Sequence, residues 1–164
     1  MEETYKRRIL DDVIEKRLHN KGAILLEGAK WCGKTTTCEH HAASILYMSD
    51  PDRVQQHLQL AEISPKSLLT GETPRLIDEW QIAPKLWYAI RFEVDHRSGF
   101  GHFLLTGSSV PADTSKIQHS GTGRFAWLKM RPMSLYESGE STVSVSLSTL
   151  FAENDLQVFA ENKL

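Results

Sequence analysis

Residues Gly28-Ala29-Lys30-Trp31-Cys32-Gly33-Lys34-Thr35 have the spacing G-x-x-x-x-G-K-T. Glycines at these positions let successive backbone N–H groups turn toward one point, a concavity that suits a phosphate. Lys34 brings a compact positive charge for the terminal phosphates of a nucleotide. The Thr35 hydroxyl is a hard oxygen ligand of the kind Mg²⁺ accepts, and Thr36 offers a second hydroxyl to an inner phosphate. The same glycines would also suit a plain tight turn. A phosphate cradle must in addition follow a strand and open a helix, whose N-terminal N–H groups and dipole favour an anion.

Three further groups complete a possible hydrolytic site. Leu76-Ile77-Asp78-Glu79 ends an apolar run in an acidic pair. Such a pair alone usually marks only a strand end. In a doubly wound sheet, however, strand C-termini line the ligand crevice. Asp78 would then hold Mg²⁺ directly or through water, and Glu79 would orient and deprotonate an attacking water. A carboxylate at position 79 separates a hydrolase from a simple binder. Thr106-Gly107-Ser108-Ser109 offers hydroxyls for sensing the terminal phosphate or holding the water, and is equally a plausible turn. Arg124 follows Gly121-Thr122-Gly123; a guanidinium there suits transition-state charge, often on a neighbour's nucleotide, although its sequence context favours a surface arginine.

The elements that must position these groups alternate in type. Tyr5 to Leu18 spaces Ile9, Leu10, Val13, Ile14 and Leu18 as one helix face. Ala23-Ile24-Leu25-Leu26 is a continuous apolar run suited to a strand buried on both faces, and Lys34 to His41 forms the helix that the loop opens. Ile45 to Met48 is a second strand, and Ser49-Asp50-Pro51-Asp52 starts a helix with Val54, Leu58 and Ala61 on one face. A short helical piece around Ser67 to Leu69 precedes a third strand, Pro74 to Asp78. A helix from Ala83-Pro84, carrying Leu86, Trp87, Ile90 and Val94, leads to a fourth strand, Phe103 to Thr106. The polar stretch from Ser108 to Gly123 has room for a short helix, and Phe125 to Met130 is a fifth strand, stopped by Arg131-Pro132. The pattern predicts a doubly wound α/β fold. Ser141 to Ser148 alternates like an edge strand, and Leu150 to Leu164 has no decisive period.

Composition narrows the functional classes. The chain has 164 residues, the length of one ordinary domain, and a formal charge of −2. No basic excess points to a nucleic-acid surface. Lys6-Arg7-Arg8 is balanced by Glu2, Glu3, Asp11 and Asp12 and suits a solvated helix face. Cys32 and Cys38 make no disulfide framework, and no apolar run has membrane-spanning length, so a soluble cytoplasmic setting is expected. His40-His41 and the cysteines lack metal-site spacing. Trp80, Trp87 and Trp127 suit packing, while Trp31 should cover the loop from outside or lie near the base.

With these motifs in this order, the chain resembles the AAA+-type P-loop ATPases. More narrowly it looks like the bacterial and archaeal group in which an N-terminal ATPase domain precedes a C-terminal domain of uncertain function. The likeness runs from Tyr5 to about Phe151. Its most specific stretches are Gly28 to Thr37, Leu76 to Glu79, Leu105 to Ser109 and Arg131 to Glu137. The resemblance implies a three-layer sheet of five mainly parallel strands, ordered 5-1-4-3-2, with helices on both faces. It implies ATP and Mg²⁺ as ligands, held by Gly28 through Thr36 with Thr35 and Asp78 on the metal side. It makes Glu79 the water-activating acid, with Lys34 on the phosphates, Thr106 and Ser108 as sensors and Arg124 as an arginine finger, hence a possible homo-oligomer. Residues 1–140 would form the ATPase domain, and 141–164 an extension or the start of a second domain. Members of the group resemble DNA-associated ATPases, and in some the C-terminal part is nuclease-like. The expected activity is ATP hydrolysis driving or regulating such a domain. A nucleotide-sensing module without turnover and a small-molecule kinase are the alternatives. A GTPase is disfavoured, since no Asn-Lys-x-Asp motif occurs.

Overall fold

In the computed structural model, residues 5–107, 123–141 and 151 are described. The expectations for Ser108 to Thr122 and for the tail beyond Ser141 lie outside the described residues, Phe151 apart. The chain divides into two compact units, Met1–Pro132 and Met133–Leu164.

The first unit is built on five strands: β1 (Ala23–Gly28), β2 (Ser44–Tyr47), β3 (Arg75–Asp78), β4 (Phe103–Thr106) and β5 (Phe125–Met130). Their order across the sheet is β2-β3-β4-β1-β5, and every neighbouring pair is parallel. This is the expected order, seen from the opposite edge. Parallel strands need long crossovers, which the helices supply. These are α2 (Lys34–His41), α3 (Val54–Ile63), α4 (Pro65–Leu68) and α5 (Lys85–His96), with a 3₁₀ turn at Trp80–Ile82, while α1 (Asp11–Leu18) precedes β1.

Side-chain alternation along the strands separates two cores. Ala23, Leu25, Ile77, Phe103 and Leu105 face Leu86, Trp87, Ile90 and Val94 of α5, together with Met48, Ala61 and Leu69. Ile24, Leu26, Leu76 and Leu104 face Ile14 of α1 and Cys38 of α2. Continuous apolar strands are therefore required in the middle of the sheet. Trp87 lies between Trp80 and Phe125, with ring centroids 5.5 and 4.8 Å away. Trp80 and Trp87 are buried as expected; Trp127, on edge strand β5, touches Trp87 but stays 40% exposed.

The first helix is shorter than its apolar spacing suggested. It begins at Asp11, because the Asp11 carboxylate accepts the Arg8 backbone N–H at 2.7 Å and turns the chain there. Residues before it run as a strap whose Tyr5 and Arg8 side chains reach other elements. The third helix begins at Val54, after a turn in which Asp50 Oδ1 accepts the Asp52 N–H. In the second unit, α6 (Leu135–Ser138) starts with a reciprocal cap between Ser134 and Glu137 and stops at Gly139 in the left-handed region.

Candidate functional site

The register brings the chemistry together. Leu26, Thr106, Asp78 and Tyr47 are level across β1, β4, β3 and β2. The C-terminal ends of the three central strands therefore open on one crevice, at which the glycine-rich loop leaves β1 and enters α2. The strand–loop–helix context required of a phosphate cradle is present.

The loop has a demanding backbone. Gly28 runs so close to β5 that a Cβ there would stand 2.4 Å from the Met130 carbonyl oxygen. Gly33 caps α2 with φ of 93°, in the left-handed region. Trp31 also has a positive φ, 68°, unusual for a bulky side chain, and is 91% exposed beneath the Lys30 ammonium. The Trp31 side chain therefore stands out from the loop into solvent. Such backbone outliers collect at ligand sites.

Lys34 is 7% exposed, and its Nζ donates to the carbonyls of Gly28 and Ala29 at 3.0 and 2.8 Å. Thr35 Oγ1 donates to Asp78 Oδ1 at 2.8 Å, and the fully buried Thr106 hydroxyl donates to the same oxygen. Two hydroxyls from two elements therefore fix one carboxylate. Glu79 follows in a left-handed conformation, φ 54°, which turns the chain out of β3 into the 3₁₀ turn. Its Oε2 accepts the side-chain amide of Gln81. Lys30, Trp31, Gly33, Lys34, Thr35, Thr36, Ser49, Asp78 and Glu79 line a cleft of about 560 Å³. Ala29 and Cys32 complete the loop; Cys32 is buried, its thiol toward the Met130 carbonyl at 3.9 Å. The oxygen pair of Thr35 and Asp78 fits a hard divalent cation such as Mg²⁺. Among the described residues no group of three or more His, Cys, Asp or Glu side chains comes together as a metal set.

Arg124 is not part of this cleft. It precedes β5 at Phe125, which pairs with Ala23 at the start of β1, the end of the sheet opposite the loop. Its guanidinium is ion-paired with Asp95. Ser108 lies outside the described residues.

A buried support under the loop was not legible in the sequence. Arg8, expected on a solvated face, is only 6% exposed. Its guanidinium donates to the carbonyls of Cys32 in the loop and Arg131 after β5, both at 2.9 Å. The Asp11 carboxylate accepts the Tyr5 hydroxyl at 2.8 Å and meets His41 Nε2 at 2.9 Å, tying the strap to α2. Burial works against the Asp11 charge, but the Arg8 N–H and the bonds from His41 and Tyr5 outweigh it and hold the carboxyl below its ordinary range. Burial pushes the Tyr5 hydroxyl up to about 12, with Asp11 adding to the rise. Burial, then the charges of Asp78, Glu39 and Asp11, raises the Cys38 thiol, so it stays protonated as a packing residue.

This sheet order, with a glycine-rich loop between β1 and α2, defines a P-loop NTPase fold. The family model described as "AAA domain" matches residues 20–139. The chain belongs to that family, a class of P-loop nucleotide-binding domains of the ATPase type. Among solved structures it is similar to the P-loop NTPase domain of the sigma-54 transport activator from E. coli, at 8% identity and TM-score 0.46. That match covers 75% of this chain and 92% of that one; the fold assignment stands on sheet order and family rather than on it. No curated protein matches. Among the described residues no helix is long and apolar enough to cross a membrane.

Proposed function

We propose that this chain binds ATP in the cleft at the glycine-rich loop and hydrolyses its terminal phosphate with the aid of Mg²⁺. The observation that carries the reading is the convergence of Thr35 and Thr106 on one oxygen of Asp78, with Glu79 next in the chain and lining the same cleft. The loop N–H groups and Lys34 bind the phosphates. Thr35 and Asp78 would hold Mg²⁺, which supplies charge neutralisation at the phosphate oxygens. Glu79 takes a proton from water as its oxygen attacks the terminal phosphorus. The bond to the bridging oxygen breaks, leaving ADP and inorganic phosphate. Thr106 keeps Asp78 oriented from the end of β4, and Thr106 and Ser108 would act as sensors of the terminal phosphate.

Further parts belong to the same proposal. Residues 1–140 act as the ATPase domain, and 141–164 as an extension or the start of a second domain. Hydrolysis in the cytoplasm would drive or regulate an attached C-terminal domain, with DNA as its possible target. Arg124 would serve a nucleotide held by a second copy of the chain. Phosphate release by wild type, Lys34→Ala and Glu79→Gln tests the core of the reading. Turnover should vanish with ATP binding in the first variant and fall with binding retained in the second. A wild type that binds ATP without turnover would make this a nucleotide-sensing module instead.

A further inference from the structure

Glu79 carries its carboxylate on a residue in the left-handed region, φ 54°. Two residues on, Gln81 donates its side-chain amide to Glu79 Oε2. The amide cannot be reversed without setting its oxygen against a carboxylate, so its orientation is dictated by Glu79. The cost of that choice is visible at the other end of the group. Gln81 Oε1 is buried and has no hydrogen-bond partner among the described residues.

The amide also lies against Gly107, the residue after Thr106. A Cβ on Gly107 would stand 2.2 Å from Gln81 Oε1 and 2.9 Å from Cδ. Nothing with a side chain fits at 107 while Gln81 reaches Glu79. The least costly relief of that clash is movement of the flexible Gln81 side chain away from the carboxylate.

We infer that Gln81 is a positioning residue of Glu79, and that Gly107 after β4 keeps the space in which it works. The loop after β4 and the water-activating carboxylate are thereby coupled through one amide. This rests on Glu79 being the residue that activates water. Gln81 itself touches neither phosphate nor metal ligand in this account; its effect passes through Glu79.

The test uses the 164-residue chain. Gln81→Met keeps the side-chain volume and removes the amide, and Gly107→Ala displaces the amide without altering it. Each should lower kcat for ATP about 10- to 100-fold, the weight of a charge-assisted hydrogen bond. KM and the affinity for ATP should stay within about twofold, since only the chemical step is touched. Combining Gln81→Met with Glu79→Gln should lower the rate no further than Glu79→Gln alone. Wild-type kcat in Gln81→Met beside an inactive Glu79→Gln would overturn the inference. So would a full additional loss in the double variant, or equal losses in rate and affinity. If Glu79→Gln turns over like wild type, the hydrolytic reading itself falls, and the Glu79 arm identifies that outcome.

Discussion

Replacing Arg8 by methionine keeps most of the apolar stem in place and removes the guanidinium bonds to the Cys32 and Arg131 carbonyls. The Cys32 carbonyl is buried, so its bond to a charged donor counts in full, about 1.5–3 kcal/mol. The Arg131 bond is half-buried, and water replaces part of it. The expected loss is therefore about 2–4 kcal/mol. For a domain of this size each kcal/mol moves the melting midpoint by about 2–4 °C, so Arg8→Met should melt roughly 5–15 °C lower. Arg8→Lys should recover only part of this, because one ammonium cannot span two carbonyls as a planar fork does. Cys32 lies inside the phosphate loop, so ATP affinity should also fall, by roughly threefold to tenfold, as the loop loses its preset shape. Thermal unfolding by circular dichroism and ATP titration read the two effects separately. A midpoint within about 1 °C of wild type and an unchanged affinity would refute the idea that Arg8 clamps the loop.

Acidification should destabilise the chain in two windows. Burial lowers the ordinary range of His102, so its contribution is full above about pH 6.5 and is lost below. Asp11 and Glu93 are also held low, Glu93 against its burial by bonds from Lys66 and Arg97, so their contribution is lost only as pH falls below about 4. Urea unfolding across pH 3–8 should show Asp11→Asn weakening the lower window, where Glu93 still acts, and leaving the upper one intact; loss of the upper window in that variant would contradict the assignment. Trp31 is exposed and left-handed, so Trp31→Val should be less stable than Trp31→Gly by about 1 kcal/mol in urea, and equal stabilities would deny strain there.

Much of the fold was legible because its signals are local. β4, β5 and α2 fall at the residues their patterns predicted, and an apolar run before a glycine loop has few alternatives. The meeting of Thr35 with Asp78 was legible too, through the rule that strand ends line the crevice. What escaped depends on long reach. Lys6-Arg7-Arg8 looks like a charged helix face until the chain turns at Asp11 and Arg8 spans to residues 32 and 131. No spacing announces that His41 meets Asp11, or that Gln81 bonds Glu79 and presses on Gly107. Arg124 sits correctly at the start of β5, but only the parallel register shows that this is the end of the sheet away from the loop.

The central claim is that the carboxylate after β3 turns nucleotide binding into hydrolysis. The direct measurement is inorganic phosphate released from Mg²⁺-ATP by the wild-type chain and by Glu79→Gln, with ATP binding measured on both. Equal binding and a loss of turnover of about 100-fold or more in the variant are expected. Equal release by the two proteins would contradict it.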